Sequence, residues 1–205
     1  MGNKAYWRTF YLPPELLYAD AHRLQLNQQE REVRRATALH EAGHLVAAVH
    51  VRGSILNAFI RVPGKTPAYI GHNGSLGQIR ASSSDAIKNA LITACGIVVE
   101  SLNPDPEEAR VAATTDIWDL LEDEKRFVDG YTLDRVLDDA LKFVNKNWPA
   151  IDGAAAGLLQ LGRADGVITP KKMGKIEDYI KSGLWEKRTP LYQPPDKNSL
   201  EKLGV

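Results

Sequence analysis

The sequence predicts a mainly α-helical domain carrying one small β-sheet, an α+β arrangement, and three observations predict it. Apolar residues recur at helical spacing over long stretches, as in Leu39, Ala42, Val46 and Val49, and again in Leu133, Val136, Leu137, Ala140, Leu141 and Val144. Only two short segments, Ile55 to Val62 and Ser75 to Arg80, read as strands. Helix starts are marked in between: Ser82-Ser-Ser-Asp85 has the spacing of a cap, Thr132 opens a helix, and Thr169 precedes Pro170 at a first helical position. At 205 residues the chain is long enough for one domain with a sizeable core.

In chain order, residues 1–26 hold Pro13-Pro14 among aromatics and read as an arm packed on the body. The domain proper spans 27–183. Its first helix runs from about Asn27 to Arg52, with Gly53 as the stop. The first strand follows, then a Gly- and Pro-rich loop from Pro63 to Gly74, then the second strand. The next helix turns Ile87, Leu91, Ala94, Val98 and Leu102 inward and is ended by Asn103-Pro-Asp-Pro106. A third helix runs through Asp116, Trp118 and Leu121 to Gly130, its Glu122-Asp-Glu-Lys-Arg126 run forming a solvated face. A fourth starts at Thr132, Pro149 begins another, and the last ends at Gly183. Residues 184–205, with Pro190, Pro194 and Pro195, read as an extended or disordered tail.

Composition narrows the partners. Lys plus Arg and Asp plus Glu number 26 each, which removes any global electrostatic case for nucleic acid or an anionic membrane. Cys95 is the single cysteine, so no internal disulfide forms, and a lone thiol fits a reducing compartment. No apolar run is long enough to cross a bilayer, and the N-terminus has no signal core. The expectation is a soluble, cytoplasmic protein.

Chemistry concentrates at His40-Glu41-Ala-Gly-His44. Residues i and i+4 of a helix share a face one turn apart, so His40 and His44 can present two imidazole nitrogens to one metal ion. Glu41 lies beside that face, where a carboxylate reaches a metal-bound water without ligating the metal. This is the His-Glu-x-x-His arrangement of zinc metalloproteases, in which the Glu is the general base. Gly43, costly inside a helix by about 1 kcal/mol against alanine, points to close packing at the site. A catalytic zinc needs a third protein ligand. His50 stands where the metzincin pattern has its last histidine, but that pattern needs a helix-breaking glycine where this chain has Ala47. The unbroken helix turns His50 away. Glu100 and Asp116 remain, and as hard carboxylates they are chemically equivalent candidates.

The stretch Ala38-Leu39-His-Glu-Ala-Gly-His44 resembles the peptidase domain of FtsH-type zinc proteases, whose motif reads His-Glu-Ala-Gly-His. Further segments match in order over roughly residues 30–180. Ser75-Leu76-Gly77 resembles that family's edge strand. Ala94-Cys-Gly96-Ile-Val-Val-Glu100 resembles its Gly-Arg-x-Ala-Glu helix, with Ile97 in place of Arg. Ala112-Ala-Thr-Thr-Asp116-Ile resembles its Gly-Ala-Ser-x-Asp segment, with alanine where glycine is usual. The resemblance implies that Asp116 is the third zinc ligand, that Glu100 orients a ligand histidine, and that Leu76, Gly77 and Gln78 bind substrate as an added strand. It implies a zinc-dependent endopeptidase for unfolded or extended polypeptides, Glu41 serving as base for a zinc-activated water.

The family's AAA+ ATPase module and membrane helices have no counterpart here. Gly64-Lys65-Thr66 imitates the end of a phosphate loop, but Phe59 replaces the required first glycine. ATP-independent cleavage follows, by a homo-oligomer or with substrates delivered by a separate AAA+ partner. His72 reads as an ordinary loop histidine. The competing reading is a metal-binding interaction protein that acts on such a partner and does not turn over substrate.

Overall fold

The computed structural model describes residues 26–62, 77–102, 106–127, 130–162 and 166–187, with 194, 195 and 198; side chains at 106–113 fall outside that description. The arm at 1–25, the loop holding Gly64, Lys65, Thr66 and His72, Leu76, and most of the tail therefore lie outside the described residues.

Helix α1 spans Gln28–Val51. A reciprocal cap starts it: Glu30 N–H donates to Asn27 Oδ1 at 2.9 Å, and Asn27 N–H donates to Glu30 Oε2 at 2.8 Å, so two of the orphan amides of the first turn are satisfied. The left-handed residue that ends it is Arg52, with φ 60° and ψ 37°, not Gly53 as the sequence suggests. Gly53 has a different task. A Cβ there would sit 2.9 Å from the Ser82 carbonyl, so the glycine lets the chain leave the helix directly against the second strand.

Strands β1 (Ser54–Ile60), β2 (Gly77–Ser82) and β3 (Val167–Ile168) form an antiparallel sheet in the order β2-β1-β3. Ile60 pairs with Gly77, Phe59 with Gln78 and Ala58 with Ile79, and the register shifts at a bulge between Ile55 and Asn57. Both longer strands sit a residue or two away from their expected bounds, and β3 is too short to show a pattern in sequence. Because β2 runs through Ser82, that serine cannot cap the next helix. Asp85 does so, accepting the Lys88 N–H at 3.1 Å, to begin α2 (Ala86–Glu100).

Helix α3 (Pro106–Glu124) begins ten residues before Asp116 and stops short of Gly130. Trp118 on this helix is 64% exposed. Helix α4 (Leu133–Leu161) begins with Thr132 Oγ1 accepting the Arg135 N–H at 3.3 Å. It runs unbroken through Pro149, where the sequence predicts a new helix. Proline removes one helical hydrogen bond and costs about 3 kcal/mol. Burial of Val144, Trp148, Ala150, Ile151, Ala154 and Leu158 on both sides holds the helix together across it. Helix α5 (Pro170–Ser182) ends at Gly183 in the left-handed region, and the first residues of the segment expected to be extended or disordered form a 3-10 turn (Leu184–Lys187), pinned by Trp185 Nε1 donating to the Ile180 carbonyl at 2.9 Å.

The core gathers around the second half of α1, buried continuously from Ala38 to Ala48 by α2, α4 and the sheet. Helix α2 is enclosed by α1, α3 and α4, so it buries Ile92, Cys95, Ile97 and Val99 as well as Ala94 and Val98; the single inward face read from sequence is too narrow. No helix among the described residues is long and apolar enough to cross a membrane.

The strained C-cap makes a testable case. An L-residue held left-handed costs about 1 kcal/mol that glycine does not incur. Arg52→Gly is expected to raise the unfolding free energy by about 0.5–1 kcal/mol in urea melts. A lowered midpoint would contradict the cap assignment.

Candidate metal centre

The site is built on the middle of α1, where the helix is fully enclosed. His40 and His44 project from consecutive turns, with ring centroids 4.7 Å apart and planes at 87°. Asp116 reaches in from α3. Its Oδ2 lies 3.0 Å from His40 Nε2 and 3.1 Å from His44 Nε2, and the two Nε2 atoms are 3.1 Å apart. Two imidazole nitrogens and one carboxylate oxygen thus form a nearly equilateral triangle, a group that can hold a metal ion.

The atoms behind the triangle orient it. His44 Nδ1 lies 2.9 Å from the Ile92 carbonyl, and a carbonyl can only accept, so Nδ1 carries the hydrogen and the Nε2 lone pair faces the triangle. His40 Nδ1 lies 2.8 Å from Glu100 Oε2, a close ion-pair contact short of well-aligned hydrogen-bond geometry. Glu100 turns His40 in the same sense.

Glycines make room for this. A Cβ on Gly96 would fall 2.2 Å from His44 Cε1 and 2.3 Å from Nε2, so the imidazole lies directly on the α2 backbone. A Cβ on Gly43 would fall 2.7 Å from the Cys95 carbonyl oxygen. The packing that Gly43 suggests in sequence is this approach of α1 to α2.

Glu41 is 4% exposed and lies against β2, within electrostatic reach of His40, His44 and Asp116. The Ile79 backbone N–H donates to its carboxylate, and a Cβ on Gly77 would come within 3.0 Å of its Oε1. Burial pushes the Glu41 carboxyl above its ordinary value, against the opposing pull of His40 and His44. Burial likewise lowers both imidazoles, but Asp116, with Glu100 at His40, outweighs it and holds both above the ordinary histidine value. Asp116, despite burial, is held well below the carboxylate range by His44 and His40.

Of the residues singled out from sequence, the structure brings together His40, His44, Asp116, Glu41, Glu100 and Gly77. Gln78 pairs with Phe59 and directs its main chain to β1, while Gly77 and Ile79 turn theirs outward, since their partners Ile60 and Ala58 face β3. Leu76 lies outside the described residues. His50 sits exposed in the last turn of α1, its ring 5.0 Å from Phe143, away from the triangle. The Ile92 carbonyl and the Ile79 amide were not legible in sequence: they are backbone groups, and no residue type announces them.

Comparison with protein-family models, with curated proteins and with solved structures gives no match to this chain.

Two outcomes follow from the geometry. Gly96→Ala drives a methyl into the His44 ring and is expected to abolish stoichiometric divalent-metal uptake, read by metal analysis of the purified protein. Cation binding must also displace protons from imidazoles whose affinity for them is raised. Metal affinity is therefore expected to fall as pH drops through neutrality, with protons released on binding. Titration calorimetry in buffers of different ionisation enthalpy measures that release, and a pH-independent affinity would contradict the ligand assignment.

Proposed function

We propose that this chain is a zinc-dependent endopeptidase that cleaves extended polypeptide without ATP. The observation that carries the reading is the triangle of His40 Nε2, His44 Nε2 and Asp116 Oδ2 with Glu41 adjoining it. Donors at about 2.0–2.1 Å from a tetrahedral zinc stand roughly 3.3 Å apart, and these stand 3.0–3.1 Å apart. Two imidazoles and one carboxylate are a catalytic rather than a structural ligand set, because they leave a fourth position open. A bound zinc would supply Lewis acidity and bring the pKa of a coordinated water from about 16 to near 7.

The chain's own residues do the rest. Glu41, adjacent to the ligands without being one, takes a proton during attack and returns it to the leaving amine. Its raised proton affinity suits both steps, because a base that holds its proton too weakly is a poor acceptor. Glu100 and the Ile92 carbonyl keep the two rings in the ligating orientation. Strand β2 lies at one edge of the sheet beside Glu41, and an extended substrate adding there would compete with Glu41 for the Ile79 amide. Resemblance to FtsH-type peptidase domains supports the same assignment.

Glu41→Gln separates an enzyme from a metal-binding interaction module. The variant keeps all three ligands, so it is expected to fold and retain one zinc per chain. It is expected to lose about 10²–10⁴-fold of casein or peptide cleavage. Equal cleavage by variant and wild type would remove Glu41 as base, and equal inactivity with retained peptide binding would favour the interaction module. Asp116→Ala is expected to weaken zinc binding far more than His50→Ala, and the reverse order would restore the metzincin-like ligand set.

A further inference from the structure

The triangle draws its donors from elements held very differently. Helix α1 is buried along its whole ligand-bearing half, whereas α3 packs chiefly on α2, with a minor contact to α4. Among the described side chains of α3, only Leu120 and Asp123 are buried. Among those side chains Leu120 is buried and Ile117 packs partly buried against the core, and apolar contacts of this kind fix a register less sharply than a directional bond. The buried polar contact between Asp123 and α2 is directional, whereas Glu124 accepts the Leu133 N–H at 3.3 Å at the start of α4. Asn89 Nδ2 donates to Asp123 Oδ2, and Asn89 Oδ1 accepts the Ser83 N–H at 3.2 Å, tying the entry to α2 to the end of α3. Arg126, 72% exposed, stands 3.8 Å from Asp123 Oδ1 and only flanks the pair.

Position along the two helices gives this bond its meaning. Seven residues make about two turns, about 10 Å of rise, and return to nearly the same face. Seven residues on from Asn89 along α2 is Gly96, on which the His44 ring lies. Seven residues back from Asp123 along α3 is Asp116, which meets the same ring. Both helices run the same distance, in antiparallel sense, from the Asn89–Asp123 bond to the site. A slip of α3 by one residue would rotate Asp116 by about 100° and remove it from the triangle.

We propose that Asn89 and Asp123 are positioning residues whose hydrogen bond sets the register of α3 on α2 and so places Asp116 as a metal ligand. The metal part of this statement rests on the zinc reading above; the register part does not.

The test exchanges the partners. Asn89→Asp sets two carboxylates against each other and breaks the bond, while the double variant Asn89→Asp/Asp123→Asn restores it with the donor reversed and leaves the Ser83 contact an acceptor. Zinc affinity is expected to fall by about tenfold or more in Asn89→Asp and to return to near the wild-type value in the exchange variant. The visible absorption of the cobalt-substituted protein should change with it, because loss of Asp116 alters the coordination sphere. In metal-free protein, amide exchange is expected to quicken across Asp116–Glu124 in Asn89→Asp while α1 and α4 stay protected. If Asn89→Asp does not fold, folding regained by the exchange variant supports the bond, and Asn89→Ala supplies the affinity and exchange measurements. Unchanged zinc affinity, cobalt spectrum and α3 exchange on breaking the bond would overturn the proposal, as would failure of the exchange variant to restore them. If wild-type protein takes up no zinc, the zinc reading fails, and the register clamp is decided by α3 amide exchange alone.

Discussion

Everything in this protein depends on how closely α1 lies on α2. With no side chain at Gly43 the backbone of α1 meets the Cys95 carbonyl, and with none at Gly96 the His44 ring rests on the α2 backbone. A methyl at Gly43 would require the helices to part, and one at Gly96 would displace the His44 ring. The same contact carries the Ile92 carbonyl to His44 Nδ1, which selects the tautomer and aims Nε2 at the triangle. Packing and side-chain chemistry are therefore one constraint here: the interhelical distance that buries the core also determines which nitrogen of His44 faces the triangle.

That closeness has an electrostatic consequence. His40, Glu41, His44 and Glu100 are all buried, and Asp116 nearly so. A buried charge is tolerated only when paired and hydrogen-bonded. The pairing runs through the group: Asp116 sits on both imidazoles, Glu100 on the far side of His40, and the Ile79 amide on Glu41. Each contact that stabilises the folded chain also assigns a chemical task. Asp116 is kept anionic by the histidines. Glu41, lacking so close a cationic partner, is dominated by burial and keeps a raised affinity for its proton. Two carboxylates near the same histidines thus diverge in proton affinity, Asp116 below and Glu41 above the ordinary carboxylate value, as the roles proposed for them require.

The elements also divide the work. Helix α1 supplies two donors and Glu41 from the most enclosed part of the fold. Helix α3 supplies the third donor from an element covered on little more than one face. Completion of the triangle is therefore a question of docking and register rather than of local sequence, and Asn89 with Asp123 lies where that question is decided.

The sequence by itself determined the helical character, the principal helix with its two histidines and Glu41, and the choice of carboxylates from which a third donor had to come. These are local matters: spacing at 3.6 residues per turn puts His40 and His44 on one face whatever surrounds them, and capping residues such as Asn27 and Thr132 act on amides three positions away. Residue chemistry alone left Glu100 and Asp116 equivalent. The resemblance favoured Asp116, and the tertiary structure supplies the physical separation: α2 brings Glu100 to the Nδ1 side of His40 and α3 brings Asp116 to the Nε2 side. Pro149 reads as a break because proline removes a local hydrogen bond, yet burial on both sides of it outweighs that loss. Gly53 reads as the helix stop because glycine favours the left-handed region, yet Arg52 adopts it and Gly53 is required by the nearness of Ser82. In each case the deciding contact comes from residues distant along the chain, and spacing rules act only on neighbours.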